Sequence, residues 1–124
     1  MKTHEEYMEL ALEEARKAEE IDEVPVGCVI VCDGEVISRG HNLKEQLNRC
    51  LNDCDLYVTL EPCMMCTGII NLSRIRTVYY GTTDPKGGCL ETVIDLKKIK
   101  RLNHYPNVVG NILQKECSEI LTNY

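Results

Sequence analysis

No apolar run in the 124 residues approaches the ~20 needed to cross a membrane. The first residues are charged and helical in pattern, without the apolar core of a secretory leader, so the expectation is a cytoplasmic protein. No internal repeat and no low-complexity tract divides the chain, which reads as a single small domain over residues 1–124. Without a leader, its eight cysteines read as thiols or metal ligands rather than disulfides. Histidine is scarce: His4, His41 and His104 are the only three. A net positive charge is also lacking, at −6. Residues 1–23 hold nine acidic and three basic side chains, and the remainder is neutral. The acid is therefore expected on one solvated helix face, which leaves room for a basic patch elsewhere.

What is present centres on Thr59-Leu60-Glu61-Pro62-Cys63-Met64-Met65-Cys66-Thr67-Gly68. Leu56–Leu60 reads as a strand and Cys63–Leu72 as a helix, with Pro62 in the first turn. Cys63 and Cys66 then stand at i and i+3, on one face of a helix N-terminus that favours thiolates. Two readings are open there: half of a tetrahedral zinc site, or two buried cysteines of a core face. Cys50 and Cys54 extend the pattern to Cys-x₃-Cys-x₈-Cys-x₂-Cys, so a four-cysteine structural zinc site is an alternative. Cys50 alone, on a loop, is a candidate third ligand.

Around this centre, Thr3-His4-Glu5-Glu6 is a capping box, and Met8, Ala11, Leu12, Ala15 and Ala18 recur at helical spacing behind it. His4-Glu5-Glu6 is also a literal His-x-Glu, better read as a helix start. Val24–Cys32 reads as a buried strand entered at Pro25. Asp33-Gly34 marks a hairpin turn, and Glu35–Arg39 is its return strand. Ile75–Tyr80 is a further strand, residues 81–88 a loop, Glu91–Arg101 a helix, Asn107–Gly110 a short strand and Leu113–Leu121 a last helix. This order predicts an α/β sandwich with helices on both faces of the sheet. Lys97, Lys98, Lys100 and Arg101, with Lys86, read either as phosphate contacts or as a solvated face. Tyr79, Tyr80 and Tyr105 read as half-buried packing.

Val24-Pro25-Val26-Gly27, Gly40-His41-Asn42, Tyr57 to Cys66 and Asp84-Pro85-Lys86 occur in this order in the bacterial tRNA adenosine deaminases, and the chain resembles that family along nearly its whole length. The resemblance implies the cytidine deaminase-like fold, a three-layer α/β/α sandwich with a five-stranded mixed sheet. It implies zinc as cofactor, with Cys63 and Cys66 as metal ligands, and Asn42 and Asp84 as substrate-binding residues. Lys86, Lys97, Lys98, Lys100 and Arg101 become RNA-binding candidates. It also implies a tRNA anticodon stem-loop as partner, a homodimer, and hydrolytic conversion of wobble adenosine to inosine.

One part of the family pattern is missing. The family carries His-Ala-Glu on a helix between the second and third strands, the His as zinc ligand and the Glu as proton shuttle. Here Arg49 is followed directly by Cys50, and about one helix is absent. Such a chain has two of the three protein ligands that a catalytic zinc needs and no shuttle. The expectations are little or no activity, an inactive deaminase-like RNA-binding or dimer subunit as the alternative function, and apolar sheet surface exposed where the helix would lie.

Overall fold

The computed structural model describes residues 2–41, 51–84, 87–88, 90–92, 95–102 and 104–123. The first helix, α1, runs His4–Glu20. The capping box forms as expected: Thr3 Oγ1 accepts from the Glu6 amide and the Glu6 carboxylate accepts from the Thr3 amide. His4 Nδ1 lies 2.6 Å from the Tyr57 hydroxyl, so this His-x-Glu belongs to the helix start.

Five strands follow: β1 (Cys28–Cys32), β2 (Glu35–Gly40), β3 (Cys54–Leu60), β4 (Thr77–Thr82) and β5 (Asn107–Val109). They form one sheet in the order β2-β1-β3-β4-β5. β1 pairs antiparallel with β2 and β3, while β3–β4 and β4–β5 are parallel, so the sheet is mixed. The β1–β2 turn places Asp33 and Gly34 at φ 52° and 79°, the left-handed conformations that a tight hairpin requires. α2 (Met64–Ser73) crosses from β3 to the parallel β4, and α3 (Gln114–Thr122) closes the chain.

Three helices among the described residues cover both faces. Tyr7, Met8, Ala11 and Leu12 of α1, with Cys117 of α3, pack against Val29, Val31 and Tyr57. On the other face Ile70 of α2 joins Cys28, Ile30, Leu56, Val58 and Val78. Gly27 is pressed against the backbone of α1 at Ala11 and Ala15, with no room for a Cβ, and this close approach seats the helix on the sheet.

Several expectations need correction. Glu91–Arg101 is not one helix: its described part holds a single 3₁₀ turn over Leu96–Lys98, and Val93 and Ile94 lie outside the described residues. The amides of Leu90, Glu91 and Thr92 donate to the Glu61 carboxylate, which ties the start of this segment to the end of β3. Cys63 is the N-cap of α2 rather than its first residue, which puts Pro62 before the cap. β4 begins two residues later than expected, and β1 starts only at Cys28. The acidic helix is not wholly solvated: Glu14 is buried and paired with Arg39 and Lys17. Nor is the α2-side sheet face exposed. Cys28, Ile30, Leu56 and Val58 are buried in a cluster that takes in Leu51 and Leu90. Exposed large apolar side chains include Met64, Met65 and Leu72 on the outer side of α2, and Ile21 and Val24 between α1 and β1. No helix among the described residues is long and apolar enough to cross a membrane.

Candidate active site

At the carboxyl end of β3, where the chain turns into α2, a cleft of about 320 Å³ opens. This is the end of a parallel βαβ unit at which ligand sites usually form. Its wall brings together Cys63 and Cys66 from the start of α2, Asp84 from the loop after β4, and Val26, Gly27 and Cys28 from the entry to β1. Glu23, His41 and Glu61 complete its polar lining. The Gly27 amide donates to Thr59 Oγ1 at 3.1 Å, tying the Val24–Gly27 segment to the strand that leads into the cysteines.

Cys63 is exposed and Cys66 partly so. The backbone amide of Cys66, joined by that of Met65 and opposed by partial burial, holds the Cys63 thiol below its usual value. That is the behaviour expected of a sulfur at a helix N-terminus. Cys28 behaves oppositely. Burial first, then the charges of Glu14 and Cys66, push its pKa up to about 12, and its thiol points at the Gly40 carbonyl, 3.4 Å away. It therefore stays protonated at neutral pH, unlike a ligand thiolate.

Glu61 is the residue whose role the sequence reading missed. Its carboxylate is 1% exposed. Oε2 accepts from the amides of Leu90, Glu91 and Thr92 at 3.1, 2.8 and 3.1 Å. Oε1 accepts from the Asp84 amide at 3.3 Å and from the Thr92 hydroxyl. Burial works to raise its pKa, but the bonds from Thr92, Glu91 and Asp84 outweigh it and hold the carboxyl below the ordinary 4.5. Glu61 thus fixes the loop that carries Asp84, whose own Oδ1 accepts from the Gly87 amide at 3.2 Å. The signal for this role was its place between the strand and Pro62, in the motif Thr59 to Gly68.

The remaining candidates scatter. Asn42, Lys86 and Cys50 lie outside the described residues. Lys97, Lys98, Lys100 and Arg101 are exposed on and after the 3₁₀ turn and do not line the cleft. Tyr80 is buried and donates to Glu91, Tyr79 stacks on Tyr57 and His4, and the Tyr105 hydroxyl donates to the Ile99 carbonyl. His104 bonds the Ile75 carbonyl. Only His41 reaches the cleft, where its Nε2 sits 3.4 Å from Glu23.

These donors decide what metal the site suits. Among the described residues no three His, Cys, Asp or Glu side chains are grouped to hold an ion. Cys63 and Cys66 fit half of a zinc site, and a catalytic zinc takes three protein ligands. The described residues therefore do not fit a catalytic zinc. The four-cysteine alternative is not assembled either: Cys54 opens β3 and Cys63 lies beyond its other end, with a strand of roughly 20 Å between them.

Comparison with known proteins places the chain in a family whose matched region is zinc-binding, although the described residues supply only two donors. The MafB19-like deaminase family model matches residues 43–117, and the cytidine and deoxycytidylate deaminase zinc-binding region matches residues 1–52. The chain is 43% identical to the tRNA-specific adenosine deaminase of Bacillus subtilis, covering 94% of this chain and 84% of that one. It is 42% identical to that of Agrobacterium fabrum, over 99% and 93%. A solved structure from work on A-to-I editing at the wobble position of transfer RNA superimposes with a TM-score of 0.86, at 42% identity, over 94% of this chain and 99% of that one. The Bacillus alignment extends over 136 positions, yet the 94% of this 124-residue chain that it covers is about 117 residues, so about 19 positions are filled by the relative alone. With a family model matched over more than half its length and relatives above 40% identity along nearly all of it, the chain belongs to the tRNA-specific adenosine deaminases, on the cytidine deaminase-like fold.

Proposed function

We propose that this protein recognises the anticodon stem-loop of a tRNA at the cleft and does not itself carry out hydrolytic deamination. The observation that carries this reading is the state of the cleft's acids: Asp84 stands beside the two thiols, and among the described residues the other carboxylates lining the cleft, Glu23 and Glu61, are engaged by protein partners. Asp84, held by Glu61 and Gly87, faces the cleft beside the two thiols. Asn42 would bond the nucleoside, and Lys86, Lys97, Lys98, Lys100 and Arg101 would meet phosphates. Hydrolysis needs a base and acid within hydrogen-bond reach of the water and the leaving amine. Glu61 is sealed by its donors, and Glu23 is committed to His41. Among the described residues the zinc donors in the cleft stop at Cys63 and Cys66. The positions that this chain lacks against its relatives amount to about five helical turns, the length of a His-Ala-Glu helix, and we place the gap at Arg49-Cys50.

In this reading the protein works in the cytoplasm as a homodimer, and Cys63 and Cys66 bind zinc weakly. The dimer is supported by the exposed Met64, Met65 and Leu72 on one helix. The test is binding to an anticodon stem-loop as salt is varied, with inosine measured in the same samples. Binding should weaken with salt by ~0.7–0.9 in log–log slope per phosphate contact. The double variant Lys97→Ala/Lys98→Ala should lower that slope by about 1.5. No salt dependence would remove the phosphate contacts, and inosine above background would overturn the non-catalytic reading.

A further inference from the structure

We propose that Cys32 and Cys54 form a redox-active pair, which closes to a cross-strand disulfide by exchange with a small disulfide such as oxidised glutathione. Cys32 ends β1, Cys54 opens β3, and the register sets them directly opposite one another. The phase of the ladder decides how close they come. The Thr59 amide donates to the Gly27 carbonyl at 3.0 Å, so Gly27–Thr59 is a hydrogen-bonded pair. With a period of two, Val29–Tyr57 and Val31–Asp55 are bonded pairs as well. Cys28–Val58, Ile30–Leu56 and Cys32–Cys54 are therefore the non-bonded pairs. The Cys54 carbonyl agrees, since it turns away from β1 and accepts from the Arg76 amide at 2.9 Å. Non-bonded pairs hold their Cα atoms ~4.5 Å apart, against ~5.5 Å for bonded ones. A disulfide takes Cα separations of ~4.4–6.8 Å.

Both side chains share the sheet face of Ile30 and Leu56. The Cys32 thiol already leans across to β3, with its Sγ 3.9 Å from the Asp53 carbonyl. Both residues are thiols in the structure; Cys32 is half-buried and Cys54 buried. The pair lies at the far end of β1 from Cys28, away from the cleft and from Cys63 and Cys66.

The exchange needs no further reactant. The Cys32 thiolate attacks one sulfur of oxidised glutathione, breaks its S–S bond and releases one glutathione thiolate. The Cys54 thiolate then attacks the Cys32 sulfur of the mixed disulfide and displaces the second glutathione. Two protein thiols are oxidised to one disulfide, and one disulfide is reduced to two thiols that take up the two protons. Access favours Cys32 as the first nucleophile and Cys54 as the resolving one.

The full chain is equilibrated with oxidised and reduced glutathione, alkylated, and mapped as non-reduced peptides, with melting temperature followed in parallel. The expected result is a peptide linking Cys32 to Cys54 and a melting temperature higher by about 5–10 °C, both reversed by dithiothreitol. Cys32→Ser should lose both effects while keeping the melting temperature of the reduced protein. If that variant fails to fold, the linked peptide of the unaltered chain decides alone. Alkylation of both residues under oxidising conditions, or linkage of either one to a different cysteine, overturns the proposal.

Discussion

Glu61 holds two ends of the fold together, because one buried carboxylate takes four backbone amides and a hydroxyl from residues 84–92. Hydrogen bonds to a charged acceptor are worth ~1.5–3 kcal/mol each where they are desolvated. Glu61→Gln keeps the shape but turns an amide NH₂ toward the donors, and is expected to cost roughly 2–4 kcal/mol at pH 7. The sign of the pH dependence follows from the depressed pKa. The native carboxyl titrates below the ordinary 4.5, so its stabilisation is complete above that value and is lost as pH falls through the folded value. Urea denaturation of both proteins from pH 7 to pH 3 should show the gap between them closing on the acid side. A gap that stays constant would mean that Glu61 acts through packing, not charge.

Among the elements, α2 is the one with two tasks. Its N-terminus presents Cys63 and Cys66 to the cleft, and Ile70 anchors it in the core. Its outer side leaves Met64, Met65 and Leu72 at 65%, 58% and 82% exposure, more than a short apolar helix needs to fold. If this side joins two copies, Leu72→Glu should shift a dimer to monomer in sedimentation velocity while leaving the monomer's unfolding free energy within about 0.5 kcal/mol. A dimer unaffected by the change would place the interface elsewhere. The segment from Leu90 differs: its apolar spacing suits a helix, yet its described part holds one 3₁₀ turn at Leu96–Lys98, and its first amides are tied to the Glu61 carboxylate.

At the scale of the whole molecule, the described sheet, helices and loop stand around a cleft that gathers Cys63, Cys66 and Asp84, and the proposed reading is that it meets substrate without hydrolysing it. Inserting a helix that begins His-Ala-Glu between Arg49 and Cys50 should therefore raise zinc content to one per chain and restore inosine formation in an anticodon stem-loop. Replacing only the inserted Glu with Ala should keep the zinc and abolish inosine, because general acid–base help contributes ~10²–10⁴-fold. Since the neighbouring sheet face is already buried, little gain in melting temperature is expected. Folded, zinc-loaded protein without inosine would mean that Asn42 and Asp84 do not serve the family's roles.

Sequence by itself determined what short-range rules govern. Thr3 and Glu6 declare a capping box three residues apart, Asp33-Gly34 allows the positive φ of a hairpin, and β-branched runs declare strands to within a few residues. The ordered motifs placed Cys63, Cys66 and Asp84 in one site, because each sits at the end of an element that the pattern had located. Tertiary structure decided the contacts that cross long stretches of chain. The burial of Glu61 under residues 84–92, the arrival of Cys28 and His41 in the cleft, and the facing of Cys32 with Cys54 depend on register and packing. No local propensity encodes these contacts. A strand's sequence states which residues share a face, and only its pairing with a partner strand states what each of them meets.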